Sequence, residues 1–206
     1  MEIMNQLKNL KKISKIKLAK NDPAHDFEHI MRVYRNAEKI CKTENGNKKL
    51  ILSAVLLHDI VKIKNQKDSA IKSAKLSEKI LKENNFFDDE IKIISDAIKE
   101  HSFSKGKIPS SIEGKILQDA DRLDAIGAIG VARVFSFSGS NNRPFYDPND
   151  PFSRNRSVND NKWALDHFFE KLLTLEKKMN TKTGKILAKN RTKILKNFLK
   201  ELKSEI

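Results

Sequence analysis

Apolar residues recur at spacings of three and four along most of this 206-residue chain, whereas strict apolar–polar alternation is hard to find. The first pattern is typical of helices with one buried face, and the second is what a half-buried strand requires. The sequence therefore predicts an all-α fold. The expected helices are an amphipathic N-terminal helix with Ile3, Leu7 and Leu10, and segments at about 22–41, 48–61, 68–83, 88–101, 112–135, 162–179 and 183–203.

Two regions interrupt this helical pattern. Gly127 or Gly130 is expected to break the segment at 112–135. From Ser136 to Asn161 the chain has three of its five prolines and two consecutive asparagines, so a long loop is expected there. Loops of that length are often lids or binding loops, although a mobile surface excursion explains the composition equally well.

The composition is that of a globular protein outside the membrane, with 38% hydrophobic and 33% charged residues. No apolar run is long enough to span a bilayer, and Lys8, Lys11 and Lys12 interrupt any secretory segment. Cys41 is the single cysteine and cannot form an internal disulfide. We therefore expect a cytoplasmic protein with no membrane partner.

The net charge of +14 favours anionic partners. Nucleic acid is one class of such partner, because lysine and arginine release counterions from phosphate polymers. The lysines are spread over nearly every segment, however, which is typical of solvated helix faces. A nucleic-acid partner is therefore not expected, while small phosphate-bearing substrates such as nucleotides are favoured. The sequence does not predict an oligomeric state.

A candidate metal site begins with His58 and Asp59, at the C-terminal end of the most apolar helix. A carboxylate buried there would need a cation or hydrogen-bond donors. An imidazole together with a carboxylate commonly binds divalent metals. Local capping or pairing at a helix end explains this dipeptide equally well.

Two further clusters have the same ambiguity. His25 and His29 are four residues apart and so share one helix face, as do Asp121 and Asp124, which are three apart. Ion pairs with Arg122 and the many lysines explain the acidic cluster equally well.

Together, the order of His29, His58, Asp59 and Asp121 resembles the HD superfamily of metal-dependent phosphohydrolases. The similarity extends over about residues 22–191. The matching motifs are HDFEHIMRV at 25–33, AVLLHDI at 54–60, HSFS at 101–104, the segment 113–133, and the segments 143–148 and 167–173, which resemble a bacterial subgroup of nucleotide-hydrolysing HD proteins. The resemblance implies an HD-domain helical bundle as a single domain over 1–206, with a metal core at about 22–135, a lid-like loop at 136–161 and additional C-terminal helices at 162–205.

The resemblance also implies a ligand set for one divalent metal, namely His29, His58, Asp59 and Asp121. The identity of this metal stays open among Mn, Mg, Fe, Co, Ni and Zn. HD proteins with two metals usually have two further histidines before the last aspartate, and this chain has only His101 there. His101 is then expected to bind the substrate or to transfer a proton. Alternatively, it is a structural histidine whose cation is stabilised at a helix C-terminus.

The expected reaction is hydrolysis at phosphorus by metal-activated water, because a bound metal lowers the pKa of water towards roughly 7. Asp124 or His101 would manage the proton. The predicted substrate-binding residues are Arg32, Arg143, Lys171 and His25, although Arg32 could be a structural ion-pair partner and Lys171 a solvated side chain.

Among the activities of this superfamily, the bacterial subgroup favours cleavage of nucleoside triphosphates to monophosphate and pyrophosphate. Phosphomonoester or cyclic-nucleotide hydrolysis is the alternative reaction. The non-enzymatic alternative is a basic nucleic-acid-binding module in which the metal is only structural.

Overall fold

The computed structural model describes residues 2–19, 26–61, 69–102 and 108–206. Within these ranges the secondary structure is helical and contains no strand, which confirms the predicted all-α class. None of the helices in this part of the chain is long and apolar enough to cross a membrane. The α-helices are α1 Glu2–Leu18, α2 Phe27–Ile40, α3 Lys48–Leu57, α4 Ser69–Glu83, α5 Asp88–Glu100, α6 Ile112–Asp124, α7 Ala128–Ser140, α8 Asp166–Glu170 and α9 Lys182–Glu205.

Two predicted helix boundaries in the first two-thirds of the chain are corrected, and one predicted break is confirmed. Helix α2 begins at Phe27 rather than near Asp22, because the Asp26 carboxylate caps it by accepting from the His29 N–H at 2.8 Å. Helix α3 ends at Leu57, before the predicted end at Val61. The predicted break after α6 is confirmed, and Gly127 occupies it with a φ of 80°.

The predicted loop at 136–161 begins too early, because α7 continues to Ser140. Ser138 stays within the helix, since its hydroxyl donates to the Val134 carbonyl at 2.7 Å. The predicted helix at 162–179 is likewise wrong. Only α8 is α-helical there, and two short 3-10 helices follow at Leu172–Thr174 and Glu176–Lys178.

Contacts divide the chain into two compact units, Met1–Asp121 and Arg122–Ile206. The single domain predicted over 1–206 stays a prediction.

In the first unit α3 is central: it packs against α1, α2 and α5, and α4 packs against α5. All residues from Leu50 to Leu57 are buried. Each large apolar side chain among them stabilises the fold by about 1.5–3 kcal/mol relative to exposure.

The second unit contains an aromatic cluster of Phe135, Phe168 and Phe198. Phe168 and Phe198 are stacked with ring centroids 5.6 Å apart, and Phe135 lies 5.7 Å from Phe198. The three rings join α7, α8 and α9. The core of this unit also contains the buried side chains of Leu165, Leu172 and Leu195.

The irregular segment 141–165 is ordered by ionic contacts within the second unit. Arg156 donates to both carboxylate oxygens of the buried Asp166, at 2.6 and 2.8 Å. Burial raises the pKa of Asp166, but hydrogen bonds from Arg156, Asn159 and Ser153 outweigh that effect and hold the pKa below its ordinary value. Whether this segment acts as a lid stays a prediction.

Gly130 in α7 has no room for a side chain. A Cβ atom there would lie 2.3 Å from the backbone oxygen of Ala125. We therefore expect Gly130→Ala to lower the free energy of unfolding by about 1–3 kcal/mol, as overpacking against backbone does. Chemical denaturation measures this change.

Gly139 on the same helix is the matched control, since a Cβ atom at that position meets nothing within 4 Å. Gly139→Ala should be neutral or gain up to about 1 kcal/mol from helix propensity. Equal stabilities for the two variants would contradict the packing argument.

Candidate metal centre

Three histidines and two aspartates converge inside the first unit. We call His29, His58, Asp59, His101 and Asp121 the histidine–aspartate cluster. They come from the first turn of α2, the turn after α3, the C-cap of α5, and α6. Nε2 of His29 lies 3.6 Å from Asp121 Oδ1 and 3.9 Å from Asp59 Oδ2. Residues distant in sequence are thus brought together at one point.

His58 is the group that most requires a cation. Its Nδ1 lies 2.8 Å from the Val55 carbonyl oxygen, which can only accept, so Nδ1 carries the proton. In the neutral ring Nε2 then carries a lone pair, which lies 3.9 Å from Asp59 Oδ2 and 4.0 Å from Asp121 Oδ1. In the described part of the chain, this buried nitrogen has no hydrogen-bond partner. The lone pair of His58 Nε2 thus faces two carboxylates, which are also acceptors. A metal ion bound between these groups would satisfy all of them.

The pKa of His58 supports the neutral form. Burial lowers this pKa, and the nearby Asp59 carboxylate only partly opposes the effect. Metal ligation needs the neutral imidazole. The residues present therefore fit a divalent metal.

His101 belongs to the same cluster. Its Nδ1 donates to the Ile98 carbonyl oxygen at 2.5 Å, and its Nε2 lies 4.0 Å from Asp59 Oδ1. Its ring is edge-on to that of His58, with centroids 5.0 Å apart. Two overlapping groups could hold an ion, one of His29, His58 and Asp121, and one of His58, Asp59 and His101.

The exposure of Asp59 differs from the sequence expectation. Its side chain is 27% exposed, whereas that of His58 is fully buried. Because α3 ends at Leu57, Asp59 lies beyond the apolar helix and reaches solvent. Burial of Asp59 was the wrong argument for a cation, and burial of His58 Nε2 replaces it.

Of the other predicted residues of the first unit, Arg32 lies on α2 one turn after His29 and is half-buried. His25 lies outside the described residues. The roles predicted for both stay predictions.

Three further predicted residues lie in the second unit. Asp124 is buried and accepts from Arg133 Nη1 at 2.6 Å. Arg143 donates to the Ser138 hydroxyl at 2.8 and 3.0 Å and also to the Asp160 carbonyl. Burial lowers the pKa of His167, the hydrogen bond that its Nδ1 donates to the Asp160 carboxylate opposes this, and the charges of Lys171 and Arg143 lower the pKa further. Lys171 and Arg143 are therefore each close enough to His167 to affect its charge.

Two buried amides escaped the sequence analysis. Asn36 on α2 donates to the Ala120 carbonyl at 3.0 Å, and Gln118 on α6 donates to the His101 carbonyl at 3.2 Å. Each stands among apolar residues on the buried side of its helix. A polar residue within an apolar helix stripe was the signal that could have found them.

Comparison with known proteins decides the family. The HD domain model matches residues 26–126, a range that includes the whole cluster. The YpgQ protein of Bacillus subtilis is 33% identical over 97% of this chain and 96% of its own. The chain belongs to the HD superfamily. As an HD-superfamily hydrolase, it matches the resemblance predicted from its motifs.

Solved structures agree with this assignment. The HD-superfamily hydrolase of Bacillus thuringiensis is 32% identical, with a TM-score of 0.79 over 98% of this chain and 97% of the other. The crystal structure of Bacillus subtilis YpgQ in complex with ADP is 30% identical, with a TM-score of 0.81 over 100% of this chain and 97% of that one. HD domains bind divalent metals, and the histidine–aspartate cluster fits such a site.

The lowered pKa of His58 predicts acid sensitivity of the metal-free protein. A histidine whose pKa in the folded state lies below its ordinary value of 6.5 takes up a proton more readily when unfolded. The contribution of neutral His58 to the free energy of unfolding is therefore fully present above pH 6.5. It is lost as the pH falls below 6.5, by at most about 1.4 kcal/mol per pH unit.

Denaturant unfolding in EDTA between pH 7.5 and 5.0 tests this, with His58→Gln as the comparison. All other titrating groups are common to both proteins, so the stability of wild type should fall relative to the variant on acidification. A constant difference between the two proteins would show that His58 does not resist protonation.

Proposed function

We propose that this HD-superfamily hydrolase cleaves nucleoside triphosphates to monophosphate and pyrophosphate, with one divalent metal held by His29, His58, Asp59 and Asp121. The observation that carries the proposal is the convergence of these side chains around His58 Nε2, a buried lone pair that faces two carboxylates. A bound divalent ion would lower the pKa of a coordinated water and polarise a phosphoryl oxygen.

The exposure of the ligands supports a catalytic rather than a structural site. His29 and His58 are buried, whereas the side chains of Asp59 and Asp121 are 27% and 31% exposed. The histidines thus lie on the buried side of the site, and the carboxylates lie on the side that solvent reaches. Catalytic metal sites keep such an open side, whereas structural sites are closed by protein ligands.

His101 is favoured over Asp124 as the group that handles the proton. Its Nδ1 is held by the Ile98 carbonyl, so its Nε2 can accept a proton or, once protonated, donate one. That nitrogen lies beside the ligand Asp59. The carboxylate of Asp124, in contrast, is buried and already accepts a hydrogen bond from Arg133 within the second unit.

The predicted substrate-binding residues divide by their contacts. Arg143 is engaged with Ser138 and the Asp160 carbonyl, so we propose that it orders the segment 141–165 for substrate rather than binding phosphate by itself. Arg32 is proposed to neutralise phosphate oxygens, and the substrate-binding roles of Lys171 and His25 stay predictions. Arginine and lysine suit charge that develops on a transferring phosphoryl group.

A nucleotide substrate is supported by two independent observations. The net charge of +14 favours polyanions, and the similar Bacillus subtilis YpgQ binds ADP in its crystal structure. The choice of the bond between the α- and β-phosphates rests on the resemblance to nucleotide-hydrolysing HD proteins.

Removing one ligand should abolish metal binding and catalysis together. Asp121→Ala is expected to lose Mn²⁺ binding in calorimetry and to lower nucleotide hydrolysis at least about 100-fold, since loss of outer partners alone costs 10–100-fold. Asp89→Ala removes an exposed carboxylate from α5 outside the cluster and should change neither property. Normal turnover by Asp121→Ala would reject the assignment of this ligand.

The reaction itself is tested by its products. Purified protein is incubated with nucleoside triphosphates or p-nitrophenyl phosphate and with Mn²⁺, Mg²⁺, Co²⁺, Ni²⁺ or Zn²⁺, and the products are separated by anion exchange. We expect nucleoside monophosphate and pyrophosphate in equal amounts. Release of inorganic phosphate from p-nitrophenyl phosphate, with the nucleoside triphosphates left intact, would instead identify a phosphomonoesterase. Salt-dependent nucleic-acid binding without turnover would favour a binding module.

A further inference from the structure

The rings of His58 and His101 have little freedom to adjust their positions. Each donates from Nδ1 to the carbonyl oxygen three residues earlier, on its own helix. A ring fixed to its own backbone in this way moves with that helix. The positions of the nitrogens that face the two carboxylates therefore depend on how the helices are held together.

Helix α6, which carries Asp121, is joined to the rest of the first unit by two buried amides. The Asn36 side chain donates from α2 to the carbonyl of Ala120, the residue that precedes Asp121. The Gln118 side chain donates from α6 to the carbonyl of His101. Both bonds thus lie beside a group of the histidine–aspartate cluster.

Apolar packing by itself does not fix the register of α6. The helix lies against α5, since a Cβ atom added to Gly114 would be 3.5 Å from the Cα of Ala97, and Ile116 and Leu117 are fully buried. Burial of this kind is not directional. Hydrogen bonds from side chains add a direction that apolar packing does not supply.

The amide of Asn36 acts on the same helix face that carries His29. The two residues are seven apart on α2, which is two helical turns, and both are buried. The bond to Ala120 fixes this face against α6, where Asp121 follows. It therefore sets the approach of His29 Nε2 to Asp121 Oδ1, now 3.6 Å.

The amide of Gln118 acts at the C-terminus of α5. The last carbonyls of a helix have no partner within the helix. His101 is the C-cap of α5, and Gln118 satisfies its carbonyl from α6. The same bond fixes the backbone from which the His101 ring extends.

We propose that Asn36 and Gln118 are positioning residues of the metal centre, which hold α2 and α5 against α6 so that His29 and His101 face the carboxylates before a metal binds. This inference rests on the metal centre proposed above. Loss of either amide would loosen a preorganised site without removing a ligand. Partners of this outer kind alter metal affinity by about 10–100-fold.

The test uses replacements that keep volume but remove the donor, Asn36→Leu and Gln118→Met. The matched control is Gln6→Met, because Gln6 is also a buried amide of the first unit. It donates to the carbonyls of Asn84 and Asn85, at 3.0 and 3.1 Å, away from the cluster. Mn²⁺ affinity is measured by calorimetry on metal-free protein, and the melting temperature is measured on the same samples.

We expect Asn36→Leu and Gln118→Met each to weaken Mn²⁺ binding about 10-fold or more. Gln6→Met should lower the melting temperature by a similar amount and leave Mn²⁺ affinity unchanged. Mn²⁺ affinities equal to that of Gln6→Met would overturn the positioning role. Should Asn36→Leu fail to fold, Gln118→Met and Asn36→Ser decide the question by the same comparison.

A wild-type protein that binds no Mn²⁺ would instead overturn the metal centre itself. That result is distinct from the failure of the positioning role, in which wild type and variants bind Mn²⁺ equally. The readout is affinity rather than turnover, so it does not depend on the identity of the substrate.

Discussion

The buried imidazole of His58 is the constraint on which the rest of the site depends. Its Nδ1 is occupied by the Val55 carbonyl, so its lone pair at Nε2 must lie beside two carboxylates without a proton between them. Such an arrangement is costly unless a cation is bound. The first unit holds this geometry because α3, the most apolar helix, is enclosed on several sides by α1, α2 and α5.

The scaffold and the site thus have different physical origins. Burial of apolar side chains packs α3 among its neighbours, but it is not directional and tolerates small shifts of one helix along another. A metal site requires donor atoms within a few tenths of an ångström of their places. Hydrogen bonds from Asn36 and Gln118 supply the direction that apolar packing lacks.

The second unit relies on charge for a different purpose. Its irregular segment has few apolar side chains to bury, and the ion pair of Arg156 with Asp166 fixes it instead. Asp124 is engaged similarly with Arg133. Acidic residues of similar appearance in the sequence therefore have different surroundings, since Asp121 belongs to the histidine–aspartate cluster and Asp124 is an ion-pair partner within the second unit.

The sequence by itself determined the helical class, the approximate positions of α3, α4, α5 and α9, a break at Gly127 or Gly130, and the family. Periodicity and short motifs are local properties of the chain. The sequence did not determine the end of α3 at Leu57, the 3-10 turns after α8 or the exposure of Asp59, which depend on capping and on contacts between distant segments. Only the tertiary structure brought His101 to Asp59 and placed the amides of Asn36 and Gln118 beside Asp121 and His101, because their partners lie 17 to 84 residues away along the chain.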